Sequence, residues 1–161
     1  MTQRLPYQKI SAAGIRALNA VHSYVQQSGL PVALIDLVYL RISQINGCAY
    51  CIDMHSRDIL KAGIPIEKLV LVPVWREAVE MFTEKERAAL AWAECVTNVA
   101  QTQVPDAEYQ AASEHLSEKE LVDLTIAIGL MNAFNRLAIS FRATPAAVKE
   151  PAGATTSATA S

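Results

Sequence analysis

Leu40-Arg41-Ile42-Ser43-Gln44-Ile45-Asn46-Gly47-Cys48-Ala49-Tyr50-Cys51-Ile52-Asp53-Met54-His55 is the stretch that organises this chain. Asn46-Gly47 breaks one helical pattern and Cys48 opens the next. Two thiols three positions apart share a helix face, close enough to form a disulfide. Cys51 and His55 are an i,i+4 pair on that face. The imidazole can therefore take the Cys51 proton or stabilise its thiolate. Cys48 stands at or near a helix N-terminus, where the dipole and free backbone N–H groups favour a thiolate. Asp36 lies on the preceding helix. If the two helices fold back antiparallel at Asn46-Gly47, Asp36 is about 15 Å and His55 about 12 Å from the break, at 1.5 Å per residue. The two then lie side by side, and the carboxylate orients the imidazole and raises its basicity.

Outward from this stretch the chain reads as helix throughout. Ser11 to Ser28 carries Ile15, Leu18, Val21 and Val25 near helical period, with Gly29 ending the segment and Pro31 opening the next. A second helix spans about Pro31 to Ile45, and a third spans about Cys48 to Ala62, stopped by Gly63 and Pro65. Residues 64–82 read as short helical turns anchored by Trp75. Thr83-Glu84-Lys85-Glu86 and Ser117-Glu118-Lys119-Glu120 are capping-box patterns. The first opens a helix to about Gln101 and the second a long apolar helix to about Arg142. Pro105-Asp106 starts a short helix between them. Strand alternation and Asn-Gly or Asp-Gly hairpin signals between alternating runs are absent. These features predict an all-α domain over residues 1–143, followed by an Ala/Thr/Ser-rich tail over 144–161.

Composition narrows the function classes. The 161 residues suit one compact protomer, and 52% are hydrophobic, with a mean hydropathy of +0.18. We read that surplus as buried subunit interface. Net charge is −2 and basic residues are scattered, which argues against nucleic acid as a partner. The N-terminus has no apolar signal core, and the run from Leu124 to Phe134 is too short and too polar to span a bilayer. Three cysteines, two of them in a C-x-x-C, suit a reducing cytosol in which a thiol pair cycles.

The thiol pair has competing readings. Cys48, Cys51 and His55, with Cys95 as a fourth ligand, would make a structural zinc site, although no second C-x-x-C or paired His follows at finger spacing. Ile52 stands where haem attachment needs His. Buried thiols serving only as small hydrophobes are a third reading. Redox chemistry accounts for more of the pattern than either alternative.

The same stretch, with Trp75-Arg76-Glu77, Phe82-Thr83-Glu84, Arg87 to Glu94 and Asn132-Ala133-Phe134-Asn135-Arg136-Leu137, resembles the AhpD-like alkylhydroperoxidases of the carboxymuconolactone decarboxylase superfamily. The resemblance spans roughly residues 10–142. It implies an all-α fold, homo-oligomers built on trimers or hexamers, and thiol peroxidase activity. It also implies a proton relay that falls on Asp36, Cys48, Cys51 and His55. The usual carboxylate is Glu. Asp is one methylene shorter, so a bridging water is expected between it and the histidine.

On this reading Cys51 attacks the peroxide, Cys48 resolves the sulfenic acid, and an external dithiol or thiol protein reduces the disulfide. The helix N-terminus favours Cys48 as thiolate and the histidine favours Cys51; Cys51 is chosen because its base can also protonate the leaving alkoxide. No flavin or nicotinamide motif is present, so no cofactor is expected. Three alternatives remain: a disulfide reductase or adaptor for a partner protein, a decarboxylase-like enzyme, and a non-catalytic oligomer with a structural metal. His22 and His115 read as surface or interface histidines, and Cys95 as packed core. Asn132, Asn135 and Arg136 read as hydrogen-bonding links between packed helices or subunits, in preference to lining the active-site entrance. Tyr50 reads as shaping the pocket mouth, with a hydrogen bond to a peroxide oxygen as a second role open to it, and Trp75, Trp92, Phe82 and Phe134 read as core or interface anchors.

Overall fold

The computed structural model describes residues 2–149, and all regular structure within them is helical. The helices are α1 (Tyr7–Ile10), α2 (Ala12–Gln26), α3 (Val32–Asn46), α4 (Ala49–Lys61), α5 (Ile66–Leu71), α6 (Glu84–Thr97), α7 (Val99–Thr102), α8 (Asp106–Ser113), α9 (Glu118–Phe141) and α10 (Ala146–Lys149). Two short 3₁₀ turns, Val72–Val74 and Val79–Met81, link α5 to α6.

Helix starts follow local chemistry. Both capping boxes form, at Thr83 with Glu86 and at Ser117 with Glu120, each satisfying two backbone donors. The α6 helix stops earlier than the pattern suggests. Asn98 ends it, its Nδ2 donating to the Glu94 carbonyl, and α7 follows as a separate turn. Between α3 and α4, Gly47 takes a left-handed φ of 70°. Its N–H donates to Gln44 and the Cys48 N–H donates to Ser43, so the last α3 carbonyls are satisfied as the chain reverses. That turn lays α4 back against α3 and brings Asp36 and His55 to the same level.

The α3 helix is the centre of the molecule. Nine of its fifteen residues are buried, against α4 on one side and α6 and α9 on the others. Its face toward α6 and α9 joins Ile35, Val38, Tyr39 and Ile42 to Trp92, Leu124 and Ile128. Another face packs Leu37 and Leu40 against Ile59, Val72, Trp75 and Phe82. Polar anchors fix the register. Arg41 Nε donates to Glu94 at 2.6 Å, and Trp75 Nε1 donates to the same carboxylate oxygen at 3.0 Å.

The segment Glu118–Val148 is long and apolar enough, by length and composition, to cross a bilayer, which the shorter run from Leu124 to Phe134 does not suggest. In the fold, α9 packs against α2, α3 and α6 as a core helix. It carries buried Asp123, which accepts from Tyr24 Oη at 2.7 Å and Lys119 Nζ at 2.6 Å. Within the stretch read as tail, Ala146–Lys149 is helical, and its Ala147 N–H donates to Asp53. Residues 150–161 of that tail lie outside the described residues.

Candidate active site

Cys48 is the N-cap of α4, and its sulfur accepts the Cys51 N–H at 3.4 Å. The Cys51 sulfur lies 2.6 Å from that of Cys48, and both are free thiols, 2% and 1% exposed. The helix start thus holds the pair together and supplies a donor to Cys48. The Cys48 thiol is pulled down to about 7, chiefly because Cys51 donates its S–H to it and secondarily through the helix-start N–H groups. Cys51 is pushed up, because it gives that hydrogen bond and because its ionisation would set a second thiolate beside the first. The pair therefore loses one proton readily and the second only with difficulty.

Asn135, from α9, and Ser43, from α3, complete the chamber. Asn135 is fully buried; its Nδ2 donates to Ser43 Oγ at 3.1 Å and its Oδ1 accepts from Asn46 Nδ2 at 2.9 Å. The Asn135 amide draws both thiols down, and the Ser43 hydroxyl does the same for Cys51. Asn135 does bridge helices, but it also faces the sulfurs. Its only sequence signal is an amide interrupting an apolar helix, which many structural asparagines share.

His55 is 4% exposed and belongs to the same α4 face. The spacing allows a hydrogen bond to Cys51, but none forms: neither imidazole nitrogen has a protein partner. The reason is that the Cys51 sulfur is turned toward Cys48, three residues back. The imidazole instead faces α3. Its Nδ1 lies 3.8 Å from Asp36 Oδ1, too long for a direct hydrogen bond, and its ring centroid is 5.2 Å from that of Tyr39. The Tyr39 hydroxyl is buried and likewise unpartnered, and burial, then Asp36, pushes it well above the usual phenol range. Asp36, Tyr39 and His55 thus form a polar cluster behind the thiol pair.

A cavity of about 240 Å³ opens onto Cys51. Tyr50 and Met54 of α4 line it beside Cys51, Phe134 and Ala138 of α9 close one side, and Asn19 and His22 of α2 and Tyr7 and Gln8 near the N-terminus close the other. Cys48 is not among the lining residues. His22, which the sequence suggested as a surface or interface residue, is half-buried in the cavity wall, its ring 6.2 Å from that of Tyr39. An isolated His on an amphipathic helix gives no sign of which neighbour it meets. His115 lies at the surface, 3.9 Å from Glu84, and Cys95 is buried in α6. Among the described residues, no three His, Cys, Asp or Glu side chains are grouped to hold a metal ion, so the Cys48, Cys51 and His55 zinc reading has no supporting geometry.

Residues 12–94, including the whole thiol stretch and Asp36, match the model of the carboxymuconolactone decarboxylase family. The chain belongs to that family. Within it, the chain is similar to the uncharacterized protein YdfG of Bacillus subtilis, 34% identical over 87% of this chain and 95% of the relative. It is also 33% identical to the uncharacterized protein YnjA of Escherichia coli, over 66% of this chain and 58% of that longer relative. A crystal structure from Agrobacterium tumefaciens, of a protein of unknown function named as a candidate AhpD antioxidant defence protein, superposes with a TM-score of 0.86. It shares 41% identity and covers 89% of this chain and 98% of its own. A peroxidase-related protein from Ralstonia eutropha with an AhpD core shares the fold at 20% identity and a TM-score of 0.76, covering 86% of this chain and 74% of its own. The chain has the all-α AhpD-like fold of the carboxymuconolactone decarboxylase superfamily.

Proposed function

We propose that this protein is a thiol-dependent hydroperoxidase that cycles Cys48 and Cys51 between dithiol and disulfide. The observation that carries this reading is the buried thiol pair, 2.6 Å apart at a helix start, with Cys51 alone facing a cavity. Once the pair has lost one proton, the remaining one shifts from Cys51 to Cys48. The Cys51 thiolate attacks the distal peroxide oxygen and the O–O bond breaks. The alkoxide takes a proton relayed by water from protonated His55, which stands behind the thiol pair, leaving an alcohol and Cys51 sulfenic acid. The Cys48 thiol then attacks that sulfur, forming the disulfide and releasing water. Asp36, 3.8 Å from His55 Nδ1, acts on the imidazole by its charge or through a bridging water. An external dithiol, or a thiol protein, reduces the disulfide.

Two other chemistries fit less well. Ring-lactone decarboxylation would leave the thiol pair without a task, and the cavity wall carries no Lys or Arg to hold a carboxylate-bearing lactone. An adaptor that trades disulfides with a partner protein shares the reduction step with this reading but gives no task to the cavity onto which Cys51 opens.

The test is consumption of an organic hydroperoxide by the reduced protein, with a panel of dithiol donors. Turnover should exceed that of the donor alone by orders of magnitude. It should rise with pH through about 7, because the thiolate is the attacking form and the pair's first proton leaves there. A rate no faster than free thiol would overturn the reading.

The surface of α9 and α8 adds an expectation about assembly. Val122 is 60% exposed and Tyr109 50%, and with Trp92 and Ile126 they line an apolar groove. We read this surface as self-association between copies of the chain, in the trimer or hexamer range. Sedimentation equilibrium at micromolar concentration should show a mass well above 17.5 kDa, and a 17.5 kDa species alone would refute it.

A further inference from the structure

The wall of the Cys51 cavity that faces away from the thiol helix is built from a segment preceding the family-matched region. That region begins at residue 12, whereas Tyr7 and Gln8 line the cavity. A short N-terminal segment of this kind is ordinarily loose unless tied down, and here it is tied. The Arg4 N–H donates to the Phe141 carbonyl at 3.0 Å, and Arg4 Nη1 donates to the Ser140 carbonyl at 3.0 Å. These are orphan carbonyls at the C-terminal end of α9, so the segment acts as its cap. Tyr7 stacks on Phe141 with ring centroids 5.3 Å apart and is 9% exposed, although its neighbours in sequence are exposed. Tyr7 lines the same cavity as Cys51 and Tyr50, and burial first, then Tyr50 and the thiols, keeps its hydroxyl protonated.

We propose that residues 4–10 are a strap closing the peroxide cavity, and that the Tyr7 hydroxyl donates a hydrogen bond to the peroxide as Cys51 attacks. This rests on the hydroperoxidase reading above. When the O–O bond breaks, its electron pair goes to the leaving oxygen and the distal OH goes to the Cys51 sulfur. A fixed neutral donor stabilises the charge growing on the leaving oxygen. Tyr7 keeps its own proton; the proton that completes the alcohol is relayed by water from His55. The ring has a second effect. By covering Cys51 it limits which molecules reach the sulfur, and a cavity of about 240 Å³ lies below the usual range for drug-sized ligands, so it suits small organic hydroperoxides.

Two pairs of measurements test this. Tyr7→Phe keeps the stack on Phe141 and removes only the hydroxyl. Its kcat/KM for cumene hydroperoxide should fall about tenfold, the worth of one hydrogen bond, while iodoacetamide alkylates Cys51, followed by peptide mass, at the wild-type rate. Unchanged kcat/KM would overturn the donor role. Tyr7→Ala and, independently, Arg4→Ala should release the strap and speed Cys51 alkylation by a bulky maleimide several-fold. Wild-type alkylation rates in both folded variants would overturn the strap. If wild-type protein consumes no peroxide, the hydroperoxidase reading and the donor role that depends on it fail, and the alkylation comparison still decides whether the strap covers Cys51.

Discussion

Cys51→Ser protein is expected to lose peroxide consumption by more than about 10³-fold, the scale seen when an enzyme's nucleophile is removed. The expectation follows from position. Cys51 faces the cavity and Cys48 does not, so only Cys51 can meet the substrate before any rearrangement. Cys48→Ser should behave differently. It retains the attacking sulfur but loses both the partner that accepts its proton and the thiol that resolves it. One equivalent of peroxide should therefore be consumed slowly and accumulate as Cys51 sulfenic acid, trapped by dimedone and located by mass spectrometry. Sulfenic acid on Cys48 in the Cys51→Ser protein, with none on Cys51 in the other, would reverse the roles. The acidity of Cys48 does not itself make it the attacking group. Once the readily lost proton has left, the remaining one lies between two sulfurs in contact, and shifting it from Cys51 to Cys48 moves the thiolate to the sulfur that faces substrate.

Asp36→Asn should slow the peroxide step on the order of ten- to a hundredfold, typical for a group acting through another residue's orientation and charge. An amide cannot stabilise protonated His55, so less of the proton donor is present when the alkoxide leaves. The thiolate titration, followed by ultraviolet absorbance of the reduced protein, should shift upward in this variant. Asp36→Glu should keep or raise activity. The Asp36 oxygen stops 3.8 Å from His55 Nδ1, and one more methylene extends its reach by about 1.5 Å, enough for direct contact. If Asp36 serves only α3 stability, Asp36→Asn will lower the denaturation midpoint and leave turnover and thiolate titration untouched. That result would remove it from the relay.

Much of this protein was legible before folding, because the deciding signals are local. Capping boxes at Thr83 and Ser117, the Gly47 break and the i,i+3 and i,i+4 spacing of Cys48, Cys51 and His55 act within a turn or two of backbone. Residue type and spacing therefore determine helix starts, the reversal and the pairing of the thiols. The antiparallel placement of Asp36 opposite His55 was also inferable, since helix rise converts residue counts from one break into distance.

What the sequence could not determine is which side chains from distant helices meet that stretch. His22, Asn135 and Tyr7 are separated from Cys51 by 29, 84 and 44 positions, and each reaches the site only through packing of α2, α9 or the N-terminal segment. The direction of a side chain on a shared face is equally a tertiary matter. Spacing put Cys51 and His55 on one face, but competition between neighbours decided that Cys51 turns to Cys48 and His55 to Asp36 and Tyr39. The sequence by itself determined an all-α chain with a thiol pair at a helix start and an acid and imidazole in reach. Only the tertiary structure decided that one sulfur faces a cavity and the other is enclosed, because burial depends on every helix packed around the pair.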